Sequence, residues 1–136
     1  AGGLAATSSF VILGDLNSDP SDGGSRSSAI RALLRHQRVA RHAAPTSRGA
    51  EVAAQQQAQA NLQHQGDPAA DTADFNDRSV GNLRVDYVLP SSNFRVLQSG
   101  VFWPDLEQVP EPLRSAVVES LRASDHHLVW CDLGPK

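Results

Sequence analysis

Apolar residues in this chain fall in short blocks separated by polar stretches of very unequal length. The first block, Phe10-Val11-Ile12-Leu13, ends at Gly14 and is followed by Asp15-Leu16-Asn17 and the turn-forming run Ser18-Asp19-Pro20-Ser21-Asp22-Gly23. This pattern predicts a short buried strand that stops where polar side chains begin. Side chains alternate along an extended chain, so Asp15 and Asn17 are expected to point the same way while Leu16 packs inward. Ala29 to Ala40 reads as a helix with Ile30, Leu33 and Leu34 on one face and Arg31, Arg35 and Arg38 around the rest. Leu83 to Leu89 predicts a second strand. Phe94 to Phe102 predicts a third, interrupted at Ser99-Gly100 as in a hairpin or an adjacent pair. Pro112 opens a helix whose stripe of Leu113, Val117 and Leu121 runs through to Arg122, and Leu128 to Leu133 is the last strand. The order of elements points to α/β or α+β layers around a sheet.

Between residues 41 and 82 the pattern breaks down into Ala, Gln, Asp, His and Pro, and this stretch reads as a long surface insertion. Glu51 to Leu62 is rich enough in Ala and Gln to be helical but offers only Val52 and Leu62 to a core, which places it on the surface. Asn61, His64 and Asp74 stand out inside the insertion as candidate substrate contacts. The same spacing equally suits a chain of Asx and Gly/Pro turns.

Composition narrows the classes. At 136 residues and 40% hydrophobic, the chain suits one domain spanning 1–136. A net charge of −3 argues against a broad basic surface, so a polyanion would have to be held by local arginines or by a bound cation. Lys136 is the only lysine, and the arginines also fit a GC-rich coding bias. The single Cys131 excludes an internal disulfide and a cysteine-rich zinc site. No apolar run is long enough to cross a membrane, and residues 1–9 lack the basic and apolar regions of a signal peptide.

Three polar stations attached to apolar strands carry the candidate chemistry: Asp15 with Asn17, then Asp86, then Asp125 with His126. A carboxylate in mid-strand such as Asp86 is costly unless paired, so a cation or an imidazole is expected beside it. Together the stations supply an inventory for metal-assisted phosphoryl chemistry. Asp125 suits a hard cation such as magnesium, Asp15 a proton acceptor for water and Asn17 a donor to a phosphoryl oxygen. His126 suits a phosphate contact whose other ring nitrogen is held by Asp86. His127, His36 and His42 read as surface residues. An unrelated hydrolase built on His64 or His127 finds no nucleophile elbow and no His-x-x-x-His spacing to support it.

Gly14-Asp15-Leu16-Asn17, Arg84-Val85-Asp86-Tyr87-Val88 and Ser124-Asp125-His126, in that order, resemble the second half of the endonuclease/exonuclease/phosphatase superfamily, relatives of pancreatic deoxyribonuclease and the apurinic endonucleases. The resemblance runs from Phe10 to Leu133. Asn61 to Phe75 and Gly100 to Pro104 also resemble a bacterial, often secreted, subgroup, which implies a secreted or periplasmic setting. It implies half of a four-layer α/β sandwich, with one mixed, mainly antiparallel sheet and helices on one face. It further implies Asp15 as activator of the attacking water and Asn17 as support for the transition state. Asp125 would be a ligand of a divalent metal (magnesium, with manganese or calcium as substitutes), and Asp86 and His126 a supporting pair. The implied substrate is a phosphate ester in nucleic acid, a nucleotide, a lipid head group or inositol phosphate, with the acidic charge tilting away from duplex DNA. An early Asn and the main metal-binding Glu of the family lie in its first half. The resemblance therefore implies a missing amino-terminal half, weak metal binding and little activity for this chain alone, and an exposed sheet face able to form a homodimer. A non-catalytic binding module that keeps the fold is the alternative, and retention of all five site residues argues against it.

Overall fold

The computed structural model describes residues 2–136. Strand β1 (Val11–Asp15) leads through a long turn to helix α1 (Ser27–Leu34), and helix α2 (Arg48–Gln57) follows. Two short 3-10 turns, Gln59–Gln63 and Pro68–Ala70, precede strands β2 (Ala73–Asp74), β3 (Asn82–Leu83), β4 (Asp86–Pro90) and β5 (Phe94–Val101). Helix α3 (Glu111–Arg122) and strand β6 (Val129–Pro135) complete the order. Helices and antiparallel strands are mixed as expected, but the expected single sheet is resolved into three two-stranded ladders, β1 with β4, β2 with β3 and β5 with β6.

The β1–β4 ladder positions the site. Its register runs from Val11 opposite Pro90 to Asp15 opposite Asp86, and backbone bonds extend it at both ends, Ser91 N–H to Phe10 O and Leu16 N–H to Val85 O, each 2.8 Å. Ile12 and Leu16 face the cluster of Ile30, Val39, Tyr87 and Leu89, which α1 covers with Leu33 and Leu34. The other face is open, with Leu13 and Leu128 each 68% exposed and Val11 and Trp130 exposed to a lesser degree, 38% and 37%. β1 is thus largely exposed, with only Ile12 partly covered, where a run of four apolar residues had predicted full burial. Such a run cannot distinguish a strand covered on both faces from one covered on a single face.

Helix α1 stops at Leu34, earlier than the expected Ala40. Residues beyond it turn back through His36 N–H to Leu33 O (3.0 Å) and Val39 N–H to His36 O (2.9 Å), and Val39 then bridges to Ser91. Helix α2 corrects the expectation of a surface element. Gly49, Ala50 and Ala54 are buried, and Ala50 packs with Val101 and Trp103, so small side chains let the helix backbone come close. Ser47 caps it, accepting the Ala50 N–H at 3.2 Å. Strand β5 runs unbroken through Ser99-Gly100, because Gly100 lies under the Trp130 indole, where a Cβ would sit only 3.0 Å from the ring. The stripe expected on α3 remains largely open: Leu113 is 58% exposed and no residue of the helix is fully buried.

The polar stretch 41–82 is seated on the body of the protein. The two carboxylate oxygens of Asp22 accept the backbone N–H groups of Gln65 and Gly66, each at 2.8 Å, and Asn61 Oδ1 accepts the Asn82 N–H at 2.7 Å. Thr72, Ala73 and Asn82 are almost completely buried, so the stretch supplies core as well as surface.

Candidate active site

Asp15 ends β1 and Asp86 begins β4, and the antiparallel register sets them directly opposite one another. Like charges in facing positions repel, so the arrangement calls for a neighbouring positive charge. One ligand atom from each of Asp15, Asp86 and His126 lies within 4.8 Å of the other two. His126 Nδ1 faces Asp86 Oδ2 at 2.9 Å and its ring edge meets Phe75, with centroids 5.5 Å apart.

Asn17 reaches Asp15 by a route that alternation along a strand does not describe. The strand has ended, Asn17 takes a left-handed φ of 47°, and its side chain folds back. Its backbone N–H donates to Asp15 Oδ1 at 2.7 Å and its Nδ2 to Oδ2 at 2.9 Å. Both Asp15 oxygens are thereby oriented by one residue.

Thr72 holds the other carboxylate, and its role was not visible in the sequence. Its hydroxyl donates to Asp86 Oδ2 at 2.9 Å and accepts the N–H groups of Val85 (3.0 Å) and Asp86 (2.9 Å). Thr72 O also accepts the His127 N–H at 2.8 Å, and Ala73 forms an isolated antiparallel bridge with His126. A single buried residue therefore ties β4 to the segment that carries the imidazole. The only signal for it was a β-branched hydroxyl residue within the ligand-dense run.

Burial opposes protonation of His126, but the hydrogen bond and charge of Asp86, with Asp15 and Asp125 beyond, outweigh it and hold the imidazole above its ordinary pKa. His127, expected on the surface, is buried instead: its ring lies 3.8 Å from that of Trp103, tilted by 33°. Desolvation, reinforced by the neighbouring His126 charge, pushes it down to about 4, against the pull of Asp86 and Asp125. It is a neutral packing residue. Its position just before β6, next to a polar turn, gave no sign that the Trp103 ring would cover it.

Asp125 is exposed and lies outside the Asp15–Asp86–His126 group, and its backbone carbonyl accepts the Asp74 N–H at 2.7 Å. Asn61, His64 and Asp74 are engaged within the fold. Asn61 holds the Asn82 amide, His64 Nε2 donates to Val80 O at 2.8 Å, and Asp74 Oδ1 accepts Gln57 Nε2 at 2.8 Å. Behind the site, buried Asp19 accepts the N–H groups of Ser21 (2.6 Å), Asp22 (2.7 Å) and Arg84 (2.8 Å), fixing the turn after Asn17 to the strand before Asp86. The Tyr87 hydroxyl adds bonds to Ser18 O (2.7 Å) and Arg84 O (2.8 Å). A cavity of about 320 Å³ opens beside Asp86, walled by Leu13, Gly14, Val88, His127 and Leu128.

Residues 1–126 match the sequence profile of the Endonuclease/Exonuclease/phosphatase family. The chain belongs to that family. No curated protein and no solved structure shows a match to it. The family match covers Gly14 to Asn17, Arg84 to Val88 and Ser124 to His126, the segments that meet at the β1–β4 edge. Family members are, in general, hydrolases of phosphate esters that use divalent metals, and facing carboxylates beside an imidazole are a donor set that fits such an ion.

Proposed function

We propose that this chain carries the proton-transfer and phosphoryl-contact residues of a divalent-metal-dependent phosphoesterase. The observation that carries the reading is the Asp86–His126 hydrogen bond set across the ladder from Asp15. Asp15, its oxygens aimed by Asn17, accepts the proton of the attacking water. Asn17 divides its amide between holding that carboxylate and offering its remaining N–H to a phosphoryl oxygen. His126 has Nδ1 committed to Asp86, which leaves Nε2 for the substrate and favours the charged ring when phosphate charge builds up.

The facing Asp15 and Asp86 carboxylates would hold the cation, magnesium by preference and manganese or calcium as substitutes, with Asp125, outside that group here, as the further ligand that the family resemblance implies. When bound, such an ion supplies Lewis-acid polarisation of a phosphoryl oxygen. The substrate is a phosphodiester or phosphomonoester of a nucleic acid, nucleotide, lipid head group or inositol phosphate. The open apolar face around Leu13 and Leu128 adjoins the carboxylates, so a further layer of protein packed there would wall the site.

The test is hydrolysis of a panel of phosphate esters by the natural full-length polypeptide, with and without magnesium. The expected result is magnesium-dependent turnover that is lost on chelation and falls at least a hundredfold in His126→Ala. Metal-independent turnover, or turnover unchanged in His126→Ala, would overturn the reading.

A further inference from the structure

On β4, Asp86 and Val88 share one face, while Tyr87 and Leu89 share the other, under α1. A separate cavity of about 250 Å³ lies on that second face, floored by Leu34, Val39 and Leu89 and rimmed by Arg84, Arg41 and His42. Three basic side chains thus converge on one concavity in a chain whose net charge is −3.

None of the three is neutralised by a carboxylate. Among the described residues the ion pairs involve Arg48, Arg114 and His126, and neither Arg84 nor Arg41 takes part in one. The Arg84 guanidinium instead stacks over the Tyr87 ring at 4.9 Å. Asp19 is an acidic group that supports its charge, but that carboxylate already accepts the backbone N–H groups of Ser21, Asp22 and Arg84 itself. Burial works against the Arg84 charge, with Tyr87 and Asp19 supporting it. His42 Nδ1 donates to Ala43 O at 2.7 Å, which leaves Nε2 free of that bond.

A partly buried guanidinium over an apolar floor, without a carboxylate partner and with two further basic groups at its rim, is the arrangement that recognises a compact oxyanion. We propose that Arg84, Arg41 and His42 form a binding site for a doubly charged tetrahedral oxyanion, free phosphate or the terminal group of a phosphate monoester, on the face of the ladder opposite the candidate active site. Arg84 lies two residues before Asp86, and its backbone is fixed by Asp19 and Tyr87. An anion seated here therefore bears on the strand that carries the catalytic carboxylate.

The test is thermal unfolding in His126→Ala protein with chelator present, so that anion held by the metal site does not contribute. The probes are sulfate, inorganic phosphate and phenyl phosphate, compared at equal dianion concentration, constant ionic strength and mildly acidic pH, with chloride as reference. The expected result is a saturable rise in Tm of several degrees with sulfate and phosphate that is lost in Arg41→Ala/His42→Ala, whose substitutions lie at the rim and leave the core untouched. A larger rise with phenyl phosphate than with phosphate assigns the site to a monoester terminus, and an equal or smaller one to the free ion. Arg84→Lys, which keeps the charge but not the fork, should weaken the response at least tenfold in anion concentration. No rise beyond chloride, or the same rise in the double variant, overturns the proposal.

Discussion

Thr72 and Asp86 are joined twice, once through the threonine hydroxyl donating to Oδ2 and once through the Asp86 N–H donating to that hydroxyl, both at 2.9 Å. Replacing the hydroxyl by a methyl group in Thr72→Val keeps the shape but strands the backbone amides of Val85 and Asp86 and leaves Asp86 Oδ2 with His126 Nδ1 as its remaining partner. Unfolding in denaturant should show a loss of about 2–4 kcal/mol. Turnover by the full-length protein should fall while KM changes little, and Thr72→Ser should restore most of both.

His126 should titrate above the ordinary imidazole value in an NMR pH series. Its pKa is raised in the folded state, so its bond to Asp86 contributes fully below the unfolded value of 6.5 and is lost as pH rises through the native one. Asp86→Asn removes the charge that opposes desolvation. The midpoint should then fall towards the ordinary value, and the extra stability present below it should shrink with it.

Asp71 behaves in the opposite sense. It is buried, and desolvation, with Asp19, Asp22 and Asp67 adding repulsion, raises its pKa from 3.8 to about 8. A carboxyl group that binds its proton more tightly when folded stabilises least when deprotonated, so stability should decline as pH rises from about 4 to about 8. Asp71→Asn should flatten that decline and raise Tm at alkaline pH, by an amount corresponding to about 2 kcal/mol. A steeper decline in the variant would contradict the assignment.

Gly49 offers a steric test of how α2 is seated. A Cβ at this position would fall on the carbonyl oxygen of Trp103, which also accepts the Gly49 N–H at 3.0 Å. Although alanine favours helices, Gly49→Ala should destabilise by about 1–3 kcal/mol because backbone has to move. Tryptophan fluorescence should report the displacement of Trp103.

The open face makes a prediction of the other sign. Leu13 and Leu128 are each 68% exposed, so Leu13→Lys and Leu128→Lys should each alter stability by no more than about 0.5 kcal/mol. Light scattering should show less self-association in the pair of substitutions than in the parent.

The candidate site is legible in the sequence where a polar station is tied to its own strand. Asp15 beside Asn17, and Asp86 within an apolar run, were legible as anomalies, and the cost of isolating a carboxylate already called for a cation or an imidazole. The three polar stations already pair Asp86 with His126, forty positions away, and the resemblance implies the same pair. Thr72 and Asp19 escaped because a hydroxyl or carboxylate that holds backbone amides has the same composition as an ordinary turn. His127 was misplaced because its partner, Trp103, comes from another element. Helix α2 was misread because Gly49, Ala50 and Ala54 bury backbone instead of bulk, and a scan for large apolar residues passes over them.

The grip of Asp22 on the amides of Gln65 and Gly66 changes what the intervening stretch is. By composition it reads as slack tether. Clasped at both carboxylate oxygens, it acts as a strut, and the span from Asp22 to Gly66 closes into a ring whose circumference is fixed before any substrate arrives.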